Sequence, residues 1–339
     1  MRAKRCCTVI ALTVLGTTNI AWGQNQTVPR LVATDVHEVP QGQRWGMLAL
    51  PVKCDPDGNL YLHERQARGG SLLVRVSADG TQITKFDFDS IENLKNAWLS
   101  DFSVVEDGEI FGLLKSGGAY TIAQFSKDGT FSGKENLSPD LPVNITQLVA
   151  LHGGTFFVSG TDMGKEDPKL SGAPFNALYD QRGGLLKQVR FRSDSAKQGK
   201  KATADPAGNS NLAITLGNAV AGDDGNIYVL RLSSPALVYV VSPSGQPQRR
   251  LRVASPTSSA EPISLAVSRG RVAIVFDDPN AKDASNGRVR VVDSQNGKLV
   301  SDYRLSKELG EVLGCFVENT FTFWRADSGL LRIVQASPQ

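Results

Sequence analysis

Short apolar runs recur along this chain, each closed by a turn rich in Gly, Asn or Asp. The stretch around Gly225 shows the pattern. Asn218-Ala-Val-Ala-Gly222 is a run of small residues, Asp224-Gly225 a turn, Ile227-Tyr-Val-Leu230 an apolar run, and Leu237-Val-Tyr-Val-Val241 another. Ser244-Gly245 turns again, and Gln248-Arg-Arg-Leu-Arg-Val253 alternates polar and apolar residues. Continuous short runs predict buried strands, and alternation predicts a strand exposed on one side. Asp-Gly supplies the positive φ that a tight hairpin needs. Residues 218–253 thus predict four antiparallel strands in one unit.

The same grammar repeats. First hairpin turns fall at Asp57-Gly58, Asp107-Gly108, Gly153-Gly154, Asp224-Gly225, Arg269-Gly270 and Glu318-Asn319, in steps of 50, 46, 71, 45 and 49 residues. Second turns fall at Asp79-Gly80, Asp128-Gly129, Gly183-Gly184, Ser244-Gly245 and Asn296-Gly297. A period of this size with several strands per repeat predicts a propeller. The last unit lacks a fourth strand, because Leu330-Leu-Arg-Ile-Val334 is its third. Arg30 to Val36 precedes the first unit and reads as a strand without partners. Docked on the last unit, it would close the ring and cover an open edge. The expected fold is therefore all-β: a six-bladed β-propeller, with the N-terminal strand closing the last blade.

The N-terminus changes the charge reading. Arg2, Lys4 and Arg5 precede an apolar stretch from Thr8 to Ile20, and Ala21-Trp22-Gly23 offers small residues for cleavage. This predicts a secretory signal peptide over 1–23 and a single propeller domain over 24–339, periplasmic or secreted, with no membrane anchor. The chain holds 37 Lys+Arg against 34 Asp+Glu, and three of the basic residues belong to the signal. The remainder is balanced, which argues against a nucleic-acid partner. The chain is expected to be a monomer. Only Cys54 and Cys315 lie beyond the signal. Each stands four residues before the second position of its unit's turn. An oxidising compartment favours a bond between them. Equivalent positions on neighbouring inner strands should lie too far apart for one, and two buried free thiols are expected.

Asp-Gly-Asn-Leu/Ile-Tyr runs at Asp55 to Leu62 and Asp223 to Val229, with Ser-x-x-Gly turns at Ser77 to Thr81 and Ser242 to Gln246, resemble six-bladed propellers of the NHL-repeat and gluconolactonase-like type. The resemblance implies fold more than function. It also raises a second possibility, a hydrolase or lyase with a divalent cation in the central channel. Asn96, Asp101, Asn144, Asn218, Glu261 and Glu311 would be the oxygen donors. They fall at odd and even offsets from their turns, which does not favour convergence, and neither a cofactor nor a metal is expected.

Function is expected on the face opposite the first turns, where second strands end and long loops (160–174, 193–211, 277–287) are carried. The residues placed at that mouth are Arg44 and Trp45, then His63, Glu64 and Arg65, then Trp98 and Asp162. Asn218, Arg231, Asp277, Trp324 and Arg325 complete the rim. Aromatic rings among charges of both signs suit a protein, peptide or glycan ligand. His63-Glu64 is the best acid–base pair, but no nucleophile elbow accompanies it. The expected role is a non-catalytic recognition scaffold.

Overall fold

A computed structural model describes residues 28–39, 47–65, 71–139, 142–163, 174–191, 219–280, 287–310, 312–327 and 330–339, with backbone alone at 47–50 and 326–327. The signal-peptide segment, Arg44, Trp45, Asn218, Glu311, the 193–211 insertion and most of the other two long loops lie outside these residues.

The regular structure of the described chain is strand, joined by turns and single 3-10 turns such as Phe88–Ser90. The first unit comprises β2 (Met47–Cys54), β3 (Leu60–Arg65), β4 (Ser71–Val76) and β5 (Ile83–Asp87). The second comprises β6 (Trp98–Val104), β7 (Ile110–Ser116), β8 (Ala119–Phe125) and β9 (Phe131–Leu137). The third runs β10 (Val143–Leu151), β11 (Thr155–Asp162), β12 (Pro174–Tyr179) and β13 (Leu185–Gln188). The fourth runs β14 (Ala219–Ala221), β15 (Ile227–Arg231), β16 (Ala236–Val241) and β17 (Pro247–Val253). Each of these is a four-stranded antiparallel sheet. An eight-stranded sheet holds the rest: β18 (Glu261–Ser268), β19 (Arg271–Asp277), β20 (Arg288–Asp293) and β21 (Leu299–Leu305), then β1 (Arg30–Glu38), β24 (Leu330–Pro338), β23 (Thr320–Asp327) and β22 (Val312–Val317). Its two halves meet at a two-pair parallel contact, Arg30↔Arg304 and Leu31↔Leu305.

The repeated turn residues work as their chemistry predicts. Gly58, Gly108, Gly225 and Gly270 all take positive φ. Asp55 accepts from the Asn59 amide and the Tyr61 hydroxyl at 2.8 and 3.0 Å, and Asp224 accepts from Asn226 and Tyr228 at 2.8 and 2.9 Å. The motif therefore ties each hairpin to its own second strand, a structural duty.

Apolar side chains fill the spaces between successive units. Phe86, Phe88 and Phe125 meet edge to face between the first and second units, with centroids 5.0 and 5.9 Å apart. Further clusters join the second unit to the third, the third to the fourth, the fourth to the fifth and the fifth to the last. Leu62, Val74, Ile333 and Leu331 join the last unit to the first. This is a closed propeller arrangement, with each face buried on a neighbour.

The closing strand is where the repeat places it. β1 pairs antiparallel with β24 from Leu31↔Pro338 to Glu38↔Arg332. Only Leu31 among the residues of β1 is buried, so backbone pairing, more than apolar burial, holds this strand.

The expectation of free thiols is overturned. Cys54 and Cys315 form a disulfide, with Cα atoms 5.4 Å apart. Counting from the turns misleads because the two hairpins differ in length. Cys54 pairs with Leu60 across the longer Asp55–Asn59 turn, whereas Cys315 pairs with Thr322, beyond Val317↔Thr320 and Phe316↔Phe321. The cysteines are thus not symmetry mates. A register shift in β22 falls at Gly314, where a Cβ would come within 2.8 Å of Leu60 and 3.0 Å of Val52. The missing side chain lets β22 approach β2 closely enough for the bridge.

Candidate functional site

Five of the inner strands, β2, β6, β10, β18 and β22, carry a register shift near their middles. Such bulges re-aim side chains at sheet ends. Ser100 and Thr146 are the extra residues of β6 and β10. At Gly160 a Cβ would lie 2.0 Å from the Asn144 carbonyl oxygen. Glycine there lets β11 press against the bulge that presents Asn144.

These features assemble a cavity of about 210 Å³ at the strand ends of the first three units. It is lined by His63 and Arg65 of β3, Trp98 and Ser100 of β6, Lys115 of β7, and Asn144 and Thr146 of β10. The Arg65 guanidinium lies over the Trp98 ring, 4.4 Å from its centroid. The His63 imidazole meets the same indole edge to face at 6.5 Å. Lys115 Nζ donates to Asn144 Oδ1 at 2.8 Å and sits 5.4 Å from the Tyr120 ring centroid. Trp98 remains 44% exposed. Among the described lining residues there are two fixed cations and no carboxylate.

His63 is buried, and burial, with a smaller push from the Arg65 charge, lowers its pKa to about 4. It is neutral at pH 7. Its Nε2 has no hydrogen-bond partner among the described residues. Unfolded His63 binds a proton near pH 6.5, while the folded side chain resists until about pH 4. The unfolded state therefore binds more protons across that window, and stability falls as the pH drops through it, by about 3 kcal/mol in full. The difference in urea-unfolding free energy between wild type and His63→Leu should shrink by that amount from pH 7 to pH 4. A constant difference would refute it.

His63 and Glu64 do not form an acid–base pair. They are successive residues of one strand, opposite Leu73 and Leu72 respectively, so their side chains leave opposite faces of the sheet. Asp162 ends β11, Arg231 ends β15 and Asp277 ends β19. None of the three, nor Arg325 of β23, lines the cavity. Trp324 packs with Leu331 and Ile333 at the junction of the last and first units, its indole nitrogen buried. The oxygen-rich 277–283 loop spends Asp278 on the hydroxyls of Thr257 and Ser259, at 2.7 and 2.6 Å.

The central channel is a second cavity, of about 180 Å³, lined by inner strands of every unit and mostly apolar. At one side Lys53 reaches Asp101, with Nζ 2.9 and 3.0 Å from the two carboxylate oxygens. Lys53 Nζ also donates to the carbonyls of Phe102 and Leu148, and the Leu148 amide donates to Asp101 at 2.7 Å. Burial pushes the Asp101 carboxyl upward in pKa, opposed by Lys53 and that amide. Lys53 is absent from the sequence candidates. Its signal is a lone charge in the apolar run Leu50-Pro-Val-Lys-Cys54, matched by Asp101 in Leu99-Ser-Asp-Phe102.

Among the described residues, no helix is long and apolar enough to cross a membrane, and no group of three or more His, Cys, Asp or Glu side chains is placed to hold a metal. No family model matches the chain, and no curated protein matches it in sequence. Solved structures do match. A gluconolactonase-like protein shares 11% identity, with 92% of this chain and 99% of that one covered and a TM-score of 0.50. A TolB-like protein of Agrobacterium tumefaciens shares 15% over 92% and 99%, at 0.49. A luciferin-regenerating enzyme shares 10% over 89% and 95%, at 0.49. Identities this low carry fold and no activity. The chain is an all-β propeller.

Proposed function

We propose that this chain is an exported six-bladed propeller of the NHL and gluconolactonase-like kind, acting without catalysis as a recognition module at its strand-end face. One observation carries the reading. Residues distant in sequence, from His63 to Thr146, converge from three units on one cavity with an exposed indole and unspent donors. The six-blade count rests on dividing the eight-stranded sheet at its two-pair contact. Export accords with the basic-apolar N-terminus and with a disulfide, which persists in oxidising compartments. The gluconolactonase-like neighbour invites a second reading, a channel-metal hydrolase or lyase. Of the carboxylates proposed for such a metal, Asp101 is already spent on the Lys53 ammonium.

The test is tryptophan fluorescence of residues 24–339 titrated with peptide and oligosaccharide panels. A specific ligand should change the emission, and Trp98→Ala should abolish binding while the melting temperature holds. Asp107→Lys, on the hairpin face, should leave binding intact. Loss of binding in Asp107→Lys alone would place the function on the other face.

A further inference from the structure

We infer that the ligand of this cavity is an acidic sugar residue, its carboxylate held by Arg65 and Lys115; this rests on the recognition reading above. The charge argument comes first. Arg65 and Lys115 are both on the lining, with no described carboxylate beside them. Arg65 is exposed, and its described contact is the indole face, which leaves its N–H edge for a planar acceptor. Lys115 spends one proton on Asn144 and keeps two. Neighbouring cations with no acidic partner are a ready site for a carboxylate.

The rest of the lining selects the body that carries the charge. Leu99 and Ile145 are each only 1% exposed, so the accessible apolar surface is essentially Trp98. Ser100, Thr146 and Asn144 surround it with hydroxyl and amide groups. A pyranose ring has one apolar face and a rim of hydroxyls, which suits this surface. A peptide anchored by an apolar side chain needs a hole for it, and the accessible apolar surface here is the open Trp98 ring instead. The His63 Nε2 adds a buried, unpartnered polar atom on the lining. At about 210 Å³ and open to solvent, the cavity accepts one ring of a longer chain.

The experiment is calorimetric titration of residues 24–339 with three probes: tri-galacturonate, neutral galactotriose and tri-glutamate. Tri-galacturonate should bind, weaken as salt rises, and lose roughly ten- to hundredfold in affinity with Arg65→Gln, the range for a charged hydrogen bond. The melting temperature of Arg65→Gln should match wild type. Galactotriose binding equally well, through Trp98, would overturn the acidic-sugar inference and leave the recognition reading standing. Tri-glutamate binding more tightly would reassign the site to an acidic peptide. No binding of any probe also overturns the inference, and the recognition reading then stands or falls on the wider panel with Trp98→Ala.

Discussion

Replacing Cys54 and Cys315 together by Ala should lower the unfolding free energy by about 5 kcal/mol. The bridge joins residues 261 apart in sequence, linking the first unit to the last. A cross-link acts mainly on the unfolded chain, and its effect grows with the logarithm of the loop it closes. A loop of this size stands at the upper end of that scale. The folded ring has a second closure in the β1–β24 ladder, so the variant should still fold and simply unfold at lower urea. Urea midpoints for the variant and the oxidised wild type measure the effect. Alkylation of unfolded, non-reduced residues 24–339 should add no label, and two added labels would show that the bridge is absent.

Lys53→Met should cost about 3–5 kcal/mol, the loss seen when one partner of a buried ion pair is removed. Asp101 is 1% exposed and would lose the counterion that opposes its burial. Lys53→Met with Asp101→Asn should recover most of the loss. The pair then carries no buried charge, and the Asn oxygen still accepts from the Leu148 amide. The deficit of the single variant should also shrink in acid. Lys53 opposes the upward push of burial on the Asp101 carboxyl, so without it the folded variant takes that proton more readily than the wild type does, and acid favours the variant's fold by more. Urea unfolding at pH 7 and pH 5 reads both effects. A single variant as stable as wild type would mean that the pair is solvated in solution.

The turns were the legible part of the sequence. A Gly with positive φ leaves a local mark, and the hairpins and the partnerless strand at Arg30 follow from such marks. The site was half legible. His63, Arg65 and Trp98 belong to the predicted mouth because strand ends follow from turn positions. Ser100, Thr146 and the Lys53–Asp101 pair were hidden by the bulges, because one extra residue reverses the inside–outside count along the rest of the strand. The same blindness misplaced the cysteines, where unequal hairpins and a bulge at Gly314 broke the assumed symmetry. Trp324 shows the limit of residue type as a guide, since an indole fills a junction between units as readily as it offers a ligand a surface.

The closing strand has a mechanical consequence. Leu31 lies opposite Pro338, and the Gln339 amide donates to the Arg30 carbonyl at 3.0 Å. Force drawing residues 30 and 339 apart would act at one end of the β1–β24 ladder. It would open the pairs one after another, as a zipper opens, up to Glu38↔Arg332. The load would next fall on β2, β24 and β23, which lie outside the loop closed by the bridge, and then on Cys54 and Cys315, where a covalent bond carries it past the residues between them. The propeller should give under tension at its seam and at the strands flanking it and then stop, with the second to fifth units shielded from the pull.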